Sequence, residues 1–256
     1  MTRLLKYYLD CITEDGTALI GYAARLRIGG LELGYSALMV AAPQSPPAEH
    51  TLLGRRSLPA LGADAIDWTD PGLDLTGRWE ADAPPIQRAL LQTGHGAIHW
   101  TCLAPRARVT IRHAGATFTG FGYAESLRIT LPPWRLPFRE LHWGRYTSAR
   151  HAMVWIEWEG RSTARWLWYD GRSVDGAGSA HGFDLAGGDQ LKFLDRRDLR
   201  DREVLGALPQ ALTRFLPADA RRLAAMREHK ELSAAALLHQ GVEQDRGWVI
   251  HEVVRW

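Results

Sequence analysis

Residues 118–158 read FTGFGYAESLRITLPPWRLPFRELHWGRYTSARHAMVWIEW: two strand-like runs joined by a proline-rich corner, then a third run. In the first run Phe121, Tyr123, Glu125, Leu127, Ile129 and Leu131 share one parity, and Gly122, Ala124, Ser126, Arg128 and Thr130 the other. A strand turns successive side chains to opposite faces, so Glu125 falls on the apolar face with Tyr123 and Leu127. A carboxylate placed there is paired, protonated or used, because an isolated buried charge is too costly to keep. The period of two makes the stretch β-structure, and the misplaced acid makes it the first place to look for chemistry.

The same alternation runs outward to both sides. Residues 4–12 and 17–28 flank Asp15-Gly16, a tight-turn pair, and Gly29-Gly30 leads into Leu31, Leu33, Tyr35, Ala37 and Met39. Residues 42–49, rich in Pro, Ser and Ala, form a loop. Short strands are expected at 65–68 and 73–80, one or two helical turns within 83–93, and strands at 97–103 and 107–113 broken by Pro105. After Trp158, Glu159-Gly160 makes another hairpin into a strand at 163–169, and the Gly-rich residues 170–189 read as loops and short strands. The tail changes period. Residues 206–216, 217–230 and 233–240 carry helical spacing, with Ser233 as an N-cap and Gly241 as a stop. A final strand, 247–256, then closes a sheet. Many short strands with tight turns predict an all-β protein of antiparallel barrels or sandwiches, with a short helical insert at about 206–240 before the last strand.

Composition narrows the function classes. The 256 residues carry a net charge of only +2, and the basic residues form no stripe, so no nucleic-acid partner is expected. Arg196-Arg197 and Arg221-Arg222 have acids nearby and read as solvated faces. No apolar run approaches the roughly 18 residues of a membrane span, and no signal peptide is visible, so a cytoplasmic protein is expected. Two distant cysteines, Cys11 and Cys102, read as reduced thiols. Eleven tryptophans have two readings: large core fillers, or the lining of a cavity for an apolar ligand.

Other polar residues share Glu125's predicament. Glu252 sits in parity with Trp248, Ile250, Val254 and Trp256. Two carboxylates on apolar faces can do acid/base work, or each can pair with a buried arginine, for which Arg145 is the obvious candidate. Glu140 and His142 share a parity, and His handles protons near neutral pH. His99 and His251 are discounted as ordinary hydrogen-bonding residues. No metal-type spacing, dinucleotide fingerprint, phosphate loop or nucleophile elbow is present, so neither cofactor nor metal is expected. A site assembled from His99, His142 and His251 across strands stays open without support from spacing.

At Gly120-Phe121-Gly122-Tyr123-Ala124-Glu125, followed by Leu136-Pro137 and Leu141-His142-Trp143-Gly144-Arg145, the chain resembles a lipocalin-like superfamily. Its members include the carotenoid 1,2-hydratases (hydroxyneurosporene synthases), tocopherol-cyclase-like and AttH-like proteins. Tyr123 matches the tyrosine of the hydratases, whereas Ala124-Glu125 stands where their histidine–aspartate pair would be and leaves Glu125 as the acid there. The resemblance implies two consecutive lipocalin-like β-domains of the calycin type, residues 1–115 and 116–256. It also implies cofactor-independent chemistry of secondary metabolism on an apolar isoprenoid- or polyketide-like molecule.

Together these readings predict an isomerase, cyclase or hydratase (lyase). Glu125, His142 and Glu252 would be its catalytic groups, and Tyr123, Trp100, Trp143, Arg145 and Trp155 would bind the hydrophobic substrate. The alternative is a non-catalytic carrier of an apolar ligand, in which Glu125 is ion-paired to Arg145.

Overall fold

The computed structural model describes residues 2–132, 136–179, 181–203 and 226–255. The chain divides into two units, Met1–Leu131 and Pro132–Trp256. Among the described residues it is β-structure with a single turn of 3-10 helix, and no helix is long and apolar enough to cross a membrane.

The first unit holds β1 (Thr2–Ile12), β2 (Ala18–Ile28), β3 (Leu31–Ala41), β4 (Ala48–Leu53), β5 (Ala60–Leu61) and β6 (Ala65–Asp70). The 3-10 turn Pro71–Leu73 leads to β7 (Leu75–Ala81), β8 (Ile86–Thr93), β9 (Gly96–His113) and β10 (Ala116–Ile129). They form one antiparallel sheet in the order β4-β3-β2-β1-β10-β9-β7-β6-β5, with β8 also on β9. The second unit holds β11 (Phe138–Thr147), β12 (Ala152–Gly160), β13 (Ala164–Tyr169), β14 (Arg172–Ser173) and β15 (Gly176–Ser179). It continues through β16 (Gly182–Leu185), β17 (Asp189–Glu203), β18 (Arg227–His239) and β19 (Val242–Arg255). Their order is β14-β13-β12-β11-β19-β18-β17-β16-β15. In both sheets the first strand of the unit pairs with the last, which is why β1 and β11 need partners far away in sequence.

The hairpins follow from local chemistry. Gly16 takes φ 83°, and Thr13 and Thr17 close the turn expected at Asp15-Gly16 through a 3.0 Å backbone bond. Ala114-Gly115, Asp170-Gly171 and Gln240-Gly241 each put two successive residues at positive φ. That is the two-residue turn whose twist matches flanking antiparallel strands.

Four expectations are corrected. The first unit does not end at residue 115, because β10 lies hydrogen-bonded between β1 and β9 and carries the boundary to Leu131. Helical spacing over 227–240 gives way to strand β18, which pairs with β17 and β19 along its length; the expected helical residues 206–225 lie outside the described residues. Residues 86–93 are strand β8 rather than helical turns. Pro105 also fails to break its strand. β9 changes partner there, from β8 up to Cys102 to β7 from Ala107, and bulges against β10, so no ladder donor is required of the proline.

Each unit has its own core. In the first, Leu9, Leu19, Leu38, Trp68, Leu75, Trp79, Val109 and Ile111 pack together. In the second, Tyr146, Met153, Trp155, Leu167, Phe183, Leu191, Leu237 and Val249 do so. Trp68, Trp79 and Trp155 are thus core fillers, as the plainer reading of the tryptophans held. Cys11 and Cys102 are buried thiols that form no disulfide.

Candidate functional site

Glu125 sits on β10 two residues after Tyr123, and both point to the face opposite the first unit's core. The local sequence explains why. A bulge between Gly122, Ala124 and Glu125 shifts the register of β10 on β9. Glycine at 122 lets β1 come close enough that a Cβ there would overlap the Asp10 carbonyl. Glu125 then stands opposite Tyr8 on β1 and Cys102 on β9.

The carboxylate is tightly held. Its Oε2 accepts a 2.5 Å bond from Trp100 Nε1 and a 2.7 Å bond from the Tyr123 hydroxyl. Tyr123 is fully buried, whereas Glu125 is half-buried. Burial, followed by the nearby Cys102 and Glu125, raises the Tyr123 hydroxyl well above its ordinary pKa, so it stays protonated as a donor. Burial likewise raises the Cys102 thiol well above its usual range, which makes it a neutral neighbour rather than a nucleophile. The rings of Tyr8 and Tyr22 meet edge-on at 5.4 Å and those of Tyr8 and Tyr123 at 6.0 Å, an aromatic tract that includes the residue opposite Glu125.

Asp10 belongs to the same face and was missed in the sequence. It is fully buried, and its Oδ1 accepts the Tyr123 backbone N–H at 3.1 Å. The signal was available: an aspartate between Leu9 and Cys11, in parity with Tyr8 and Ile12, on an otherwise apolar strand.

The remaining predicted residues lie in the second unit, on two faces of its sheet. On one face, His142 Nε2 meets Glu140 Oε1 at 2.9 Å, and Arg255 donates to the same oxygen at 3.0 Å. The Arg255 bond comes first among the causes that hold the Glu140 carboxyl below its usual range, outweighing partial burial. The His142 and His251 rings stack at 6.0 Å, and Trp155 lies 6.0 Å from His251 and 4.7 Å from Phe183. Burial lowers His251 to about 4, helped by the positive charges of His142, Arg196, His229 and Lys230.

On the other face Glu252 is ion-paired with the fully buried Lys230, which also lies 3.3 Å from Glu228 and 5.8 Å from the centre of the Trp143 ring. Arg145 is fully buried and donates to the Trp248 carbonyl at 3.0 Å. The structure therefore brings Glu125, Tyr123 and Trp100 together, and Glu252 with Trp143. His142 and Trp155 share the opposite face of that second sheet.

Of the three histidines left open for a metal, His99 is exposed on the first unit. A grouping with ligand atoms within 4.8 Å of one another is instead Asp198, His229 and Glu231, where His229 Nε2 is already 3.0 Å from Asp198 Oδ1. Two surface clefts lie among the described residues, one beside Asp74, Arg112 and His113 and one lined by Asp201, Arg227, His229 and Arg255, the last two of which belong to the groups just described.

No protein-family model and no curated protein sequence matches the chain. Solved structures do. The putative AttH of Nitrosomonas europaea aligns over 98% of this chain and 91% of its own, with a TM-score of 0.53 at 12% identity. CghA, solved with Sch210972, aligns over 99% of this chain and 88% of its own, with a TM-score of 0.52 at 12% identity. Kievitone hydratase from Nectria haematococca aligns over 98% and 88%, with a TM-score of 0.55 at 9% identity. At such identities the likeness is one of fold alone: the chain shares the lipocalin-like antiparallel β-fold of these solved structures.

Proposed function

We propose that the chain is a cofactor-independent isomerase, cyclase or hydratase acting by acid/base chemistry on a hydrophobic, isoprenoid- or polyketide-like small molecule. The observation that carries this reading is the Glu125 carboxyl, half-buried among apolar and aromatic side chains and oriented by Trp100 and Tyr123. In its protonated form Glu125 gives its proton to a carbon–carbon double bond of the substrate, leaving a carboxylate and a substrate cation. Capture of the cation by water or by a second double bond, followed by return of a proton to Glu125, completes a hydration or cyclisation without any co-reactant beyond water. Aromatic π-faces such as that of Trp100 steady the developing positive charge.

In the second unit, taken by itself, His142 oriented by Glu140 is proposed as a proton-handling group on its own face of the sheet. Glu252 is assigned the charge balance of Lys230. A solved neighbour named as a hydratase accords with this reading. The test is extraction of apolar molecules that copurify with the protein, followed by mass spectrometry of their conversion by the parent and by Glu125→Gln. Turnover by the parent alone supports the proposal. Ligand retained by both proteins, and converted by neither, leaves a carrier.

A further inference from the structure

Asp10 is a fully buried ionisable group that the proposed mechanism does not use, and it stands beside the one that it does. We infer that Asp10 is a positioning residue for Glu125, acting through the backbone of Tyr123; the inference rests on the Glu125 site proposed above. Asp10 and Tyr123 are register partners on β1 and β10. Asp10 Oδ1 accepts the Tyr123 backbone N–H at 3.1 Å, and the Tyr123 hydroxyl donates a hydrogen bond to Glu125 Oε2 at 2.7 Å. The Asp10 carbonyl accepts Trp79 Nε1 at 2.7 Å, which anchors that point of β1 in the core of the unit.

The bulge makes this anchor necessary. The ladder of β10 with β9 shifts register between Gly122 and Ala124, on either side of Tyr123. A bulged residue is free to re-aim its side chain, and the Asp10 carboxylate fixes its backbone instead. A charge-assisted bond to a backbone N–H is stronger than a neutral one, which suits a role in setting direction.

The test needs no substrate. The indole proton of Trp100, bonded to Glu125, is followed by NMR in labelled protein and assigned with Trp100→Phe. Asp10→Ala is expected to move that resonance towards the position of an unbonded indole, while the other indole signals stay in place. Asp10→Asn, which keeps an acceptor for the Tyr123 N–H, is expected to restore it. Should Asp10→Ala not fold, Asp10→Ser, whose side chain is shorter, is read in the same way. A lowered melting temperature with the Trp100 resonance unmoved would overturn the inference and leave Asp10 a structural residue. Movement of the resonance in Asp10→Ala, together with undiminished conversion by Glu125→Gln, would retain Asp10 as the anchor of Tyr123 and remove catalysis from Glu125. Loss of conversion in Glu125→Gln with no movement in Asp10→Ala would do the reverse.

Discussion

Single side chains decide how charge is tolerated in this protein. His251 titrates at about 4 when folded, against an ordinary value of 6.5, because burial and neighbouring positive charges disfavour its protonated form. Between those values the unfolded chain binds more protons, so stability rises with pH across the window. The contribution is complete above about pH 6.5 and is lost as pH falls towards 4, by up to about 3 kcal/mol. His251→Phe is expected to flatten that slope in urea unfolding measured from pH 4 to 7. Lys230 poses the opposite problem, a cation with no exposure beside Glu252 and Glu228. Lys230→Met should cost about 3–5 kcal/mol, because it strips a buried carboxylate of its counter-charge. Restoration of most of that loss by Glu252→Gln in the same chain would confirm the pairing; no loss in the single variant would refute it.

At the scale of elements, close approach of strands sets what can be changed. A Cβ on Gly144 would overlap the Trp155 ring and crowd the Ile250 carbonyl at 2.9 Å. Gly144→Ala is therefore expected to destabilise by about 1–3 kcal/mol through overpacking, read as a lower urea midpoint at unchanged slope. Such contacts also explain what the sequence did and did not reveal. Strands β1 to β3 and the Asp15-Gly16 turn were legible because period two and turn chemistry agreed there. Strand β18 was not, since Glu228, Lys230, Leu232 and the run of alanines and leucines from Ala234 favour a helix in isolation. Pairing on both edges, with Lys230, Leu232, Ala235, Ala236 and Leu237 all buried, overrides that preference. Glu125's company was half legible. Tyr123 follows from parity, but Trp100 and Asp10 arrive only through β9 and β1, and a single sequence does not contain that register.

At the scale of the molecule, the two units share a strand order in which first and last strands are neighbours. Truncation after residue 241 would remove β19 and expose the edges of β11 and β18 in the middle of the second sheet. Aggregation and loss of strand signal in circular dichroism are expected, since unpaired interior edges recruit other chains. A soluble, folded product would contradict the topology. The chemistry proposed for the first unit's sheet rests on the Glu125 carboxyl. Incubation in heavy water with copurifying apolar molecules, or with isoprenoid and polyketide polyenes, followed by mass spectrometry, tests it most directly. The account predicts one solvent deuterium on carbon in the product of the parent protein and none with Glu125→Gln. Equal deuterium incorporation by the two proteins would contradict it.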